Sequence, residues 1–283
     1  MARATDILKR IQAVQSTKKI TQAVKMVATV KVGQTKRRIG QLKAYQANLR
    51  DIFWRCRPEL AQVESPYLTP RPTEKVLLLF FATDKGFCGA FNRYLLQEVA
   101  RRYEHHMAAK RQVDIMPIGT KGLALLKVKA MPYIAHHVGE RNTSKLAKLV
   151  MENYLDGACD RVEVIYQSHK VATAEGVVCE TLLPFIPPTA TAEREELPSQ
   201  IIYEPSATQI IADLMPLMIM VELRDKLLKS EMATYTTRML LMNQATENAD
   251  TLIKTLNLQY NKMRQAAITR QIAEIAAGAE AFK

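Results

Sequence analysis

Leu228–Ala267, LKSEMATYTTRMLLMNQATENADTLIKTLNLQYNKMRQAA, is the stretch that decides the fold. Within it Leu228, Met232, Tyr235, Met239, Met242, Thr246, Ala249, Ile253, Leu256, Tyr260, Met263 and Ala267 follow one another at alternating steps of four and three. An apolar repeat of 3.5 residues belongs to a left-handed coiled coil, not to a helix lying on a sheet. Proline breaks helices by removing a backbone donor and clashing with the preceding turn. All 12 prolines lie between Pro58 and Pro216, so residues 1–57 and 217–283 both read as long helices, with glycine only at Gly33, Gly40 and Gly278. At about 1.5 Å per residue these arms reach roughly 85 and 100 Å, against about 40–50 Å for a globular domain of this chain length. They are expected to project, and to pair antiparallel because they leave the middle from opposite chain directions.

The first arm has a looser stripe: Ile7, Ile11, Val14, Ile20, Val24, Val27, Ile39, Leu42, Leu49 and Phe53. Beyond Ala267 the repeat decays into Ile268–Phe282, rich in Ile and Ala, which the shorter first arm leaves uncovered. An isolated helix is marginal in water, so this tip is expected to enter a sleeve made by another protein.

Charge is distributed unevenly. Residues 1–57 carry 14 Lys+Arg against 2 acids, residues 58–216 carry 17 against 19, and residues 217–283 carry 9 against 7. The formal excess of +12 therefore belongs to the first arm, which suits nucleic acid, an anionic membrane or an acidic protein surface, or the solvated face of a coiled coil. No run of about 18 apolar residues is present, so no membrane insertion is expected. The N-terminus lacks an apolar signal core, and the chain is expected to stay in the compartment where it is made. Cys56, Cys88, Cys159 and Cys179 are widely spaced, which reads as reduced structural thiols and signals neither disulfides nor zinc. Of the five histidines, His105–His106 and His136–His137 are adjacent pairs, and adjacent side chains diverge too far to share a metal.

The middle alternates strand and helix signals. Strands are expected at Lys75–Ala82, Val113–Ile118, Tyr133–Val138, Arg161–Tyr166 and Val177–Leu183, and helices at Asn92–Met107, Lys121–Val128 and Thr143–Leu155. Such βα units imply a mainly parallel sheet with helices on its faces. Thr189–Ser199 reads as an acidic loop, Ser206 as the cap of the last helix, and Pro216 as the place for a kink. The fold class is α/β: a long antiparallel coiled coil of the terminal helices with an inserted domain. The divisions are 1–72, 73–205 and 206–283.

Candidate chemistry is sparse. Two strand-to-helix turns bear glycine, Asp84–Asn92 and Gly119–Gly122, but neither has the spacing of a dinucleotide fingerprint or a P-loop. Tight packing turns are the default reading, and no nucleotide or other cofactor is expected. Cys88 sits where a helix dipole lowers a thiol pKa, yet it has no partner His or second Cys in sequence. There is no paired-carboxylate, triad or metal-ligand pattern, so no catalytic residue is assigned.

Three separated segments resemble the γ subunit of F-type ATP synthases. They are Ile7–Ile11 continuing through Ser16–Ala28; Thr83–Asn92; and Ser230-Glu231, Arg238-Met239, Asn243–Ala249 and Tyr260–Thr269 through Glu274–Gly278. The signatures are long and ordered, and the flanking architecture runs the full chain. The resemblance implies a non-catalytic rotor whose coiled coil sits inside a hexamer of α and β subunits. Its Rossmann-like middle, with the ε subunit, meets the membrane c-ring, and proton or sodium flow turns the shaft. A peripheral position on the cytoplasmic face of a bacterial plasma membrane follows. The alternative class, a basic coiled-coil nucleic-acid-binding protein, lacks aromatic interleaving or a reading motif, so no nucleic acid is expected as partner.

Arg238, Arg264, Gln265 and Thr269 match family positions that hydrogen-bond or ion-pair with β subunits, and the basic Lys18, Lys19 and Lys25 fit the acidic β levers. Lys85 stands where the family usually has Arg, keeping the charge without the bidentate fork. Val24 replaces a usual Met, and Arg270-Gln271 replaces Gln-Glu. The cysteine-bearing insertion of the chloroplast form is missing, and these departures suggest a divergent bacterial member.

Overall fold

The computed structural model describes residues 2–56, 65–134, 142–186, 203–204 and 206–281. The chain divides into two compact units, Met1–Val30 with Arg238–Lys283, and Lys31–Thr237. Two helices contribute to both, α1 (Ala2–Arg55) and α5 (Ala207–Ala281).

The larger unit is organised by β1 (Lys75–Phe81), whose sequence KVLLLFF is buried at every position after the first. Such a run, with no polar alternation, needs cover on both faces. Leu77, Leu79 and Phe81 enter one core, with Leu146, Val150 and Tyr154 of α4 (Thr143–Leu155), Leu42, Leu49 and Phe53 of α1, and Ile211 to Leu228 of α5. Val76, Leu78 and Phe80 enter a second core, with Phe91, Leu95 and Val99 of α2 (Phe91–Ala108) and Leu126 of α3 (Thr120–Val128). Phe53 is fully buried, and truncating such a ring costs about 3–5 kcal/mol.

With β2 (Gln112–Ile118), β3 (Arg161–Gln167) and β4 (Val177–Leu183), the sheet order is β2-β1-β3-β4. β1 is parallel to β2 and β3, whereas β4 runs antiparallel to β3. Residues 168–176, which join β3 to β4, are too few for the crossover a parallel neighbour requires. Asn142 caps α4 by accepting from Ser144 N at 3.1 Å. Ser206 Oγ accepts from Gln209 N at 3.2 Å, the cap expected for α5, and α5 continues through Pro216. Tyr133 and Ile134, expected to open a strand, have no strand pairing. Ile134 N instead donates to Ile115 O of β2 at 2.8 Å. The rest of that expected strand, and the acidic loop 189–199, lie outside the described residues.

The smaller unit is an antiparallel helix pair. Lys18 pairs with Asp250, Thr21 with Thr246 and Lys25 with Asn243, so α5 numbers fall as α1 numbers rise. The α5 stripe packs as its repeat implies: Met242, Ala249 and Leu256 are buried, and Thr246, Ile253, Tyr260, Met263 and Ala267 are partly covered. The α1 stripe requires correction. Ile20 and Val27, read as seam residues, are 60% and 61% exposed. Ile11 and Val14 of the expected stripe do pack, and the face of α1 toward α5 continues through Thr21 and Ala28 in place of Ile20 and Val27. Further along α1, Thr35, Leu42 and Leu49 continue the seven-residue spacing inside the larger unit, and Cys56 keeps it just past the helix end.

Hydropathy misassigned Ile20 and Val27 because the packed positions beside them, Thr21 and Ala28, are hydroxylic or small. Thr21 and Thr246 hydroxyls meet at 2.8 Å, while each also lies within hydrogen-bond distance of a carbonyl of its own helix. Each hydroxyl carries one proton, so one of the two donates across the seam and the other back to its helix. A polar layer of this kind fixes register at some cost in stability.

The corrected register gives a direct test. Ala28→Leu overpacks the seam and is expected to destabilise the chain by about 1–3 kcal/mol, whereas Val27→Lys changes stability by less than about 0.5 kcal/mol. Chemical denaturation of both variants checks this, and the reverse ranking contradicts the register.

Candidate functional site

The smaller unit turns apolar side chains outward along α1: Met26 and Val30 are 70% and 55% exposed, alongside Ile20 and Val27. At about 100° per residue these four fall within about one third of the helix circumference. On α5, Leu252, Leu258, Ile268, Ile272 and Ile275 are also exposed, the last at 72%. The described side chains of residues 268–277 are all exposed, as the sequence implied for the tip. Single exposed apolar residues are ordinary, but a repeated outward set on a two-helix unit marks a surface that another protein covers.

Seven of the eight expected contact residues belong to this unit. Arg264 and Gln265 are exposed beside the partly covered Met263, pointing away from the seam. Thr269 is exposed and its hydroxyl donates to Gln265 O at 3.0 Å. Arg238 is half-buried and Lys19 exposed. Lys18 and Lys25 hold the pair together: Lys18 Nζ is 2.5 Å from Asp250 Oδ1, and Lys25 Nζ donates to Asn243 Oδ1 at 2.6 Å. A cavity of about 450 Å³ lined by Gln15, Lys18, Lys19, Gln22, Asp250 and Ile253 opens beside the first of these pairs.

Lys85 belongs to the larger unit, exposed in the turn after β1. Two residues on, Phe87 has φ 61° and is 66% exposed. A bulky side chain in the left-handed region costs about 1–3 kcal/mol and persists at functional turns. Sequence reading missed Phe87, although an aromatic residue beside Gly86 in a turn was the available signal.

The Gly119–Gly122 turn is a packing device, whereas a Cβ on Gly86 in the other turn would meet nothing within 4 Å. Gly119 has φ 121°, and a Cβ there would lie 2.4 Å from Ala82 O. A Cβ on Gly122 would meet Ala82 Cβ at 2.7 Å and the Phe80 ring. The first amide of α3, the group a phosphate would use, donates instead to Asp84 Oδ1 at 3.0 Å. Cys88 is buried between Thr83 Oγ1 at 3.7 Å and Asn92 Nδ2 at 3.8 Å. All four cysteines are free thiols. Burial pushes Cys159 up to about 11.

Between β3 and α2 lies a buried polar cluster that sequence gave no sign of. His106 Nε2 and Cys179 Sγ each lie 3.3 Å from Glu163 Oε2, and Arg161 Nε lies 2.8 Å from Oε1. Arg111 Nη1 is 3.2 Å from His106 Nδ1. Arginine only donates, so Nδ1 accepts and the proton sits on Nε2. Burial holds His106 below its ordinary value, against the pull of Glu163. Burial alone would raise Glu163, but hydrogen bonds from His106 and Cys179 and the charge of Arg161 hold it below the usual carboxylate range. The cluster ties helix to sheet through its own members, although Arg161 Nε, close to Glu163, makes no hydrogen bond. Among the described residues no group of His, Cys, Asp and Glu could hold a metal.

A family described as ATP synthase matches residues 3–282. Among curated proteins, the ATP synthase gamma chain of Geotalea daltonii is 34% identical over 288 residues, covering 100% of both chains. That of Chlorobaculum parvum is 34% identical over 289 residues, covering 98% of each. Among solved structures, a chain of the Euglena gracilis mitochondrial ATP synthase OSCP/F1/c-ring assembly aligns with TM-score 0.65 at 16% identity, covering 99% of this chain and 95% of that one. A chain of the rotor of the same enzyme aligns with TM-score 0.61 at 18% identity, covering 94% and 99%. These structures share the fold.

The buried cluster sets a pH dependence. A neutral His106 whose folded pKa lies below its usual 6.5 contributes fully above that value and loses its contribution as pH falls below it. Glu163 and Glu222, both held below 4.5, lose theirs only on further acidification. The unfolding midpoint is expected to fall in two stages, the first as pH drops below 6.5 and the second only below 4.5, with the first reduced in His106→Asn. A flat wild-type profile between these two usual values contradicts the neutral buried imidazole.

Proposed function

The chain belongs to the family of ATP synthase gamma chains, and we propose that it is the central rotating shaft of an F-type ATP synthase. In this reading it couples ion flow through the membrane sector to ATP synthesis or hydrolysis in the β subunits and carries no catalytic residue itself. The observation that supports it most is the outward apolar set of the smaller unit, Ile20, Met26, Val27 and Val30 on α1 with Ile268, Ile272 and Ile275 on α5. A helix pair with apolar residues on its outside is suited to a protein sleeve, here the hexamer of α and β subunits. A polyanion would select exposed cations interleaved with aromatics, and this surface offers isoleucine and valine.

Arg238, Arg264, Gln265 and Thr269 are then the positions that meet the β subunits. Lys85 and Lys19 serve as further cationic contacts to acidic levers. Lys18 and Lys25 act in part through the seam, because each is already bonded to α5. The larger unit meets the ε subunit and the c-ring. No described helix is long and apolar enough to cross a membrane, which suits a peripheral subunit on the cytoplasmic face of a bacterial plasma membrane. The divisions 1–72, 73–205 and 206–283 separate shaft segments from the inserted domain in this reading.

Co-expression with the α and β subunits tests it: a stable complex retaining ATPase activity is expected, and failure to co-purify with either contradicts it. Within that complex, replacing both Arg264 and Gln265 by Ala is expected to leave helix content unchanged and to lower ATP turnover severalfold. Charge-assisted bonds from Arg264 to a β carboxylate would form only at certain rotor angles. Full turnover at normal assembly would assign both residues to solvated surface.

A further inference from the structure

In the larger unit a chain of polar side chains crosses four elements in succession. From α1, Gln46 Nε2 and Arg50 Nη2 both donate to Glu222 Oε1 on α5, at 2.7 and 2.9 Å. Lys226 Nζ, one turn further along α5, lies 3.4 Å from Glu222 Oε2 and donates to Glu180 Oε2 on β4 at 2.6 Å. Glu180 Oε1 in turn accepts from Tyr166 OH of β3 at 2.8 Å. The Lys226 side chain is only 7% exposed, and its Nζ stands 5.6 Å from the centroid of the Tyr166 ring.

Stability does not account for this arrangement. Burying an ammonium is costly unless every partner is in place, and apolar residues of similar volume often do as well or better in such positions. The neighbouring core, which includes Leu49, Phe53, Leu182, Phe185 and Leu223, shows that apolar packing is available at the same junction. What a bonded chain adds is direction. Burial of apolar area is non-directional, so a helix held by it alone resists rotation about its axis only through side-chain interdigitation. Hydrogen bonds weaken steeply once their angles depart from alignment. Gln46 and Arg50 are one turn apart on α1 and converge on a single oxygen. Turning α1 against α5 therefore breaks both bonds together, and turning α5 against the sheet breaks the Lys226–Glu180 pair.

We propose that Gln46, Arg50, Glu222, Lys226, Glu180 and Tyr166 form a torsional lock, fixing the rotational setting of α1 and α5 on the sheet of the larger unit. They are positioning residues for torque transmission, an inference that rests on the shaft reading above. Under rotational load the chain resists slippage of the helices on the sheet, which would spend ATP without moving ions.

The test is the number of ions pumped per ATP hydrolysed by the whole complex in vesicles, with subunit content matched between variants. Glu222→Gln and Lys226→Met are expected to keep most ATP hydrolysis and to lower that ratio by about threefold or more, as befits breaking a buried pair. Lys226→Arg, which keeps the cation, is expected to retain the ratio. Gln46→Ala removes one of the two donors to Glu222 Oε1 at a half-buried site, and is expected to lower the ratio less. An unchanged ratio in Glu222→Gln and Lys226→Met overturns the lock, and if neither assembles, an unchanged ratio in Gln46→Ala does so. A wild-type complex that hydrolyses ATP without pumping overturns the shaft reading itself, and the lock with it.

Discussion

Everything in the smaller unit depends on one constraint: beyond Ile11 and Val14, the face of α1 that meets α5 continues through the hydroxylic Thr21 and the small Ala28, seven residues apart. Thr21 and Ala28 let the two backbones approach, and the Thr21–Thr246 bond fixes which turn faces which. With the seam so thin, little apolar surface is spent inside the pair. Ile20, Val27 and Val30 remain outside, where only a further protein can cover them. The same choice of residues makes the pair slender and makes it incomplete.

That constraint also explains what was legible in the sequence. The α5 stripe from Met239 to Ala267 was readable because its inward positions are the apolar ones, and it packs as its period implied. The α1 stripe was legible at Ile11, Val14, Leu42, Leu49 and Phe53, but failed where hydropathy is inverted: Ile20 and Val27 face out while Thr21, Lys18 and Lys25 face α5. A periodicity argument assumes that a chain's apolar residues serve its own core, and it fails where they serve a partner's. In the larger unit β1 was unmistakable because both of its faces are covered, and the start of α5 followed from its cap, Ser206, whereas the Asn142 cap of α4 went unread. The antiparallel setting of β4 was missed, although the short link before it carried the information.

The polar clusters were beyond reach for a different reason. Glu163 with His106, and Glu222 with Glu180 through Lys226, join residues far apart in the chain whose individual spacing says nothing. Each carboxylate is held below its ordinary range despite burial, because cations and donors from other elements converge on it. Such convergence exists only once the sheet has brought α1, α2 and α5 to its two faces. The Gly119–Gly122 turn shows the converse: its sequence invited a phosphate, and its geometry spends the space on Ala82 and Phe80 and the Thr120 amide on Asp84.

The central claim, that this chain turns inside a partner hexamer, is tested most directly by watching it turn. A bead is attached through Val128→Cys, at an exposed position of the larger unit, in a complex whose hexamer is fixed to a surface, and ATP is added. Unidirectional rotation that starts with ATP and stops without it is the expected result. A complex that hydrolyses ATP while the bead stays fixed or wanders without direction would contradict the account.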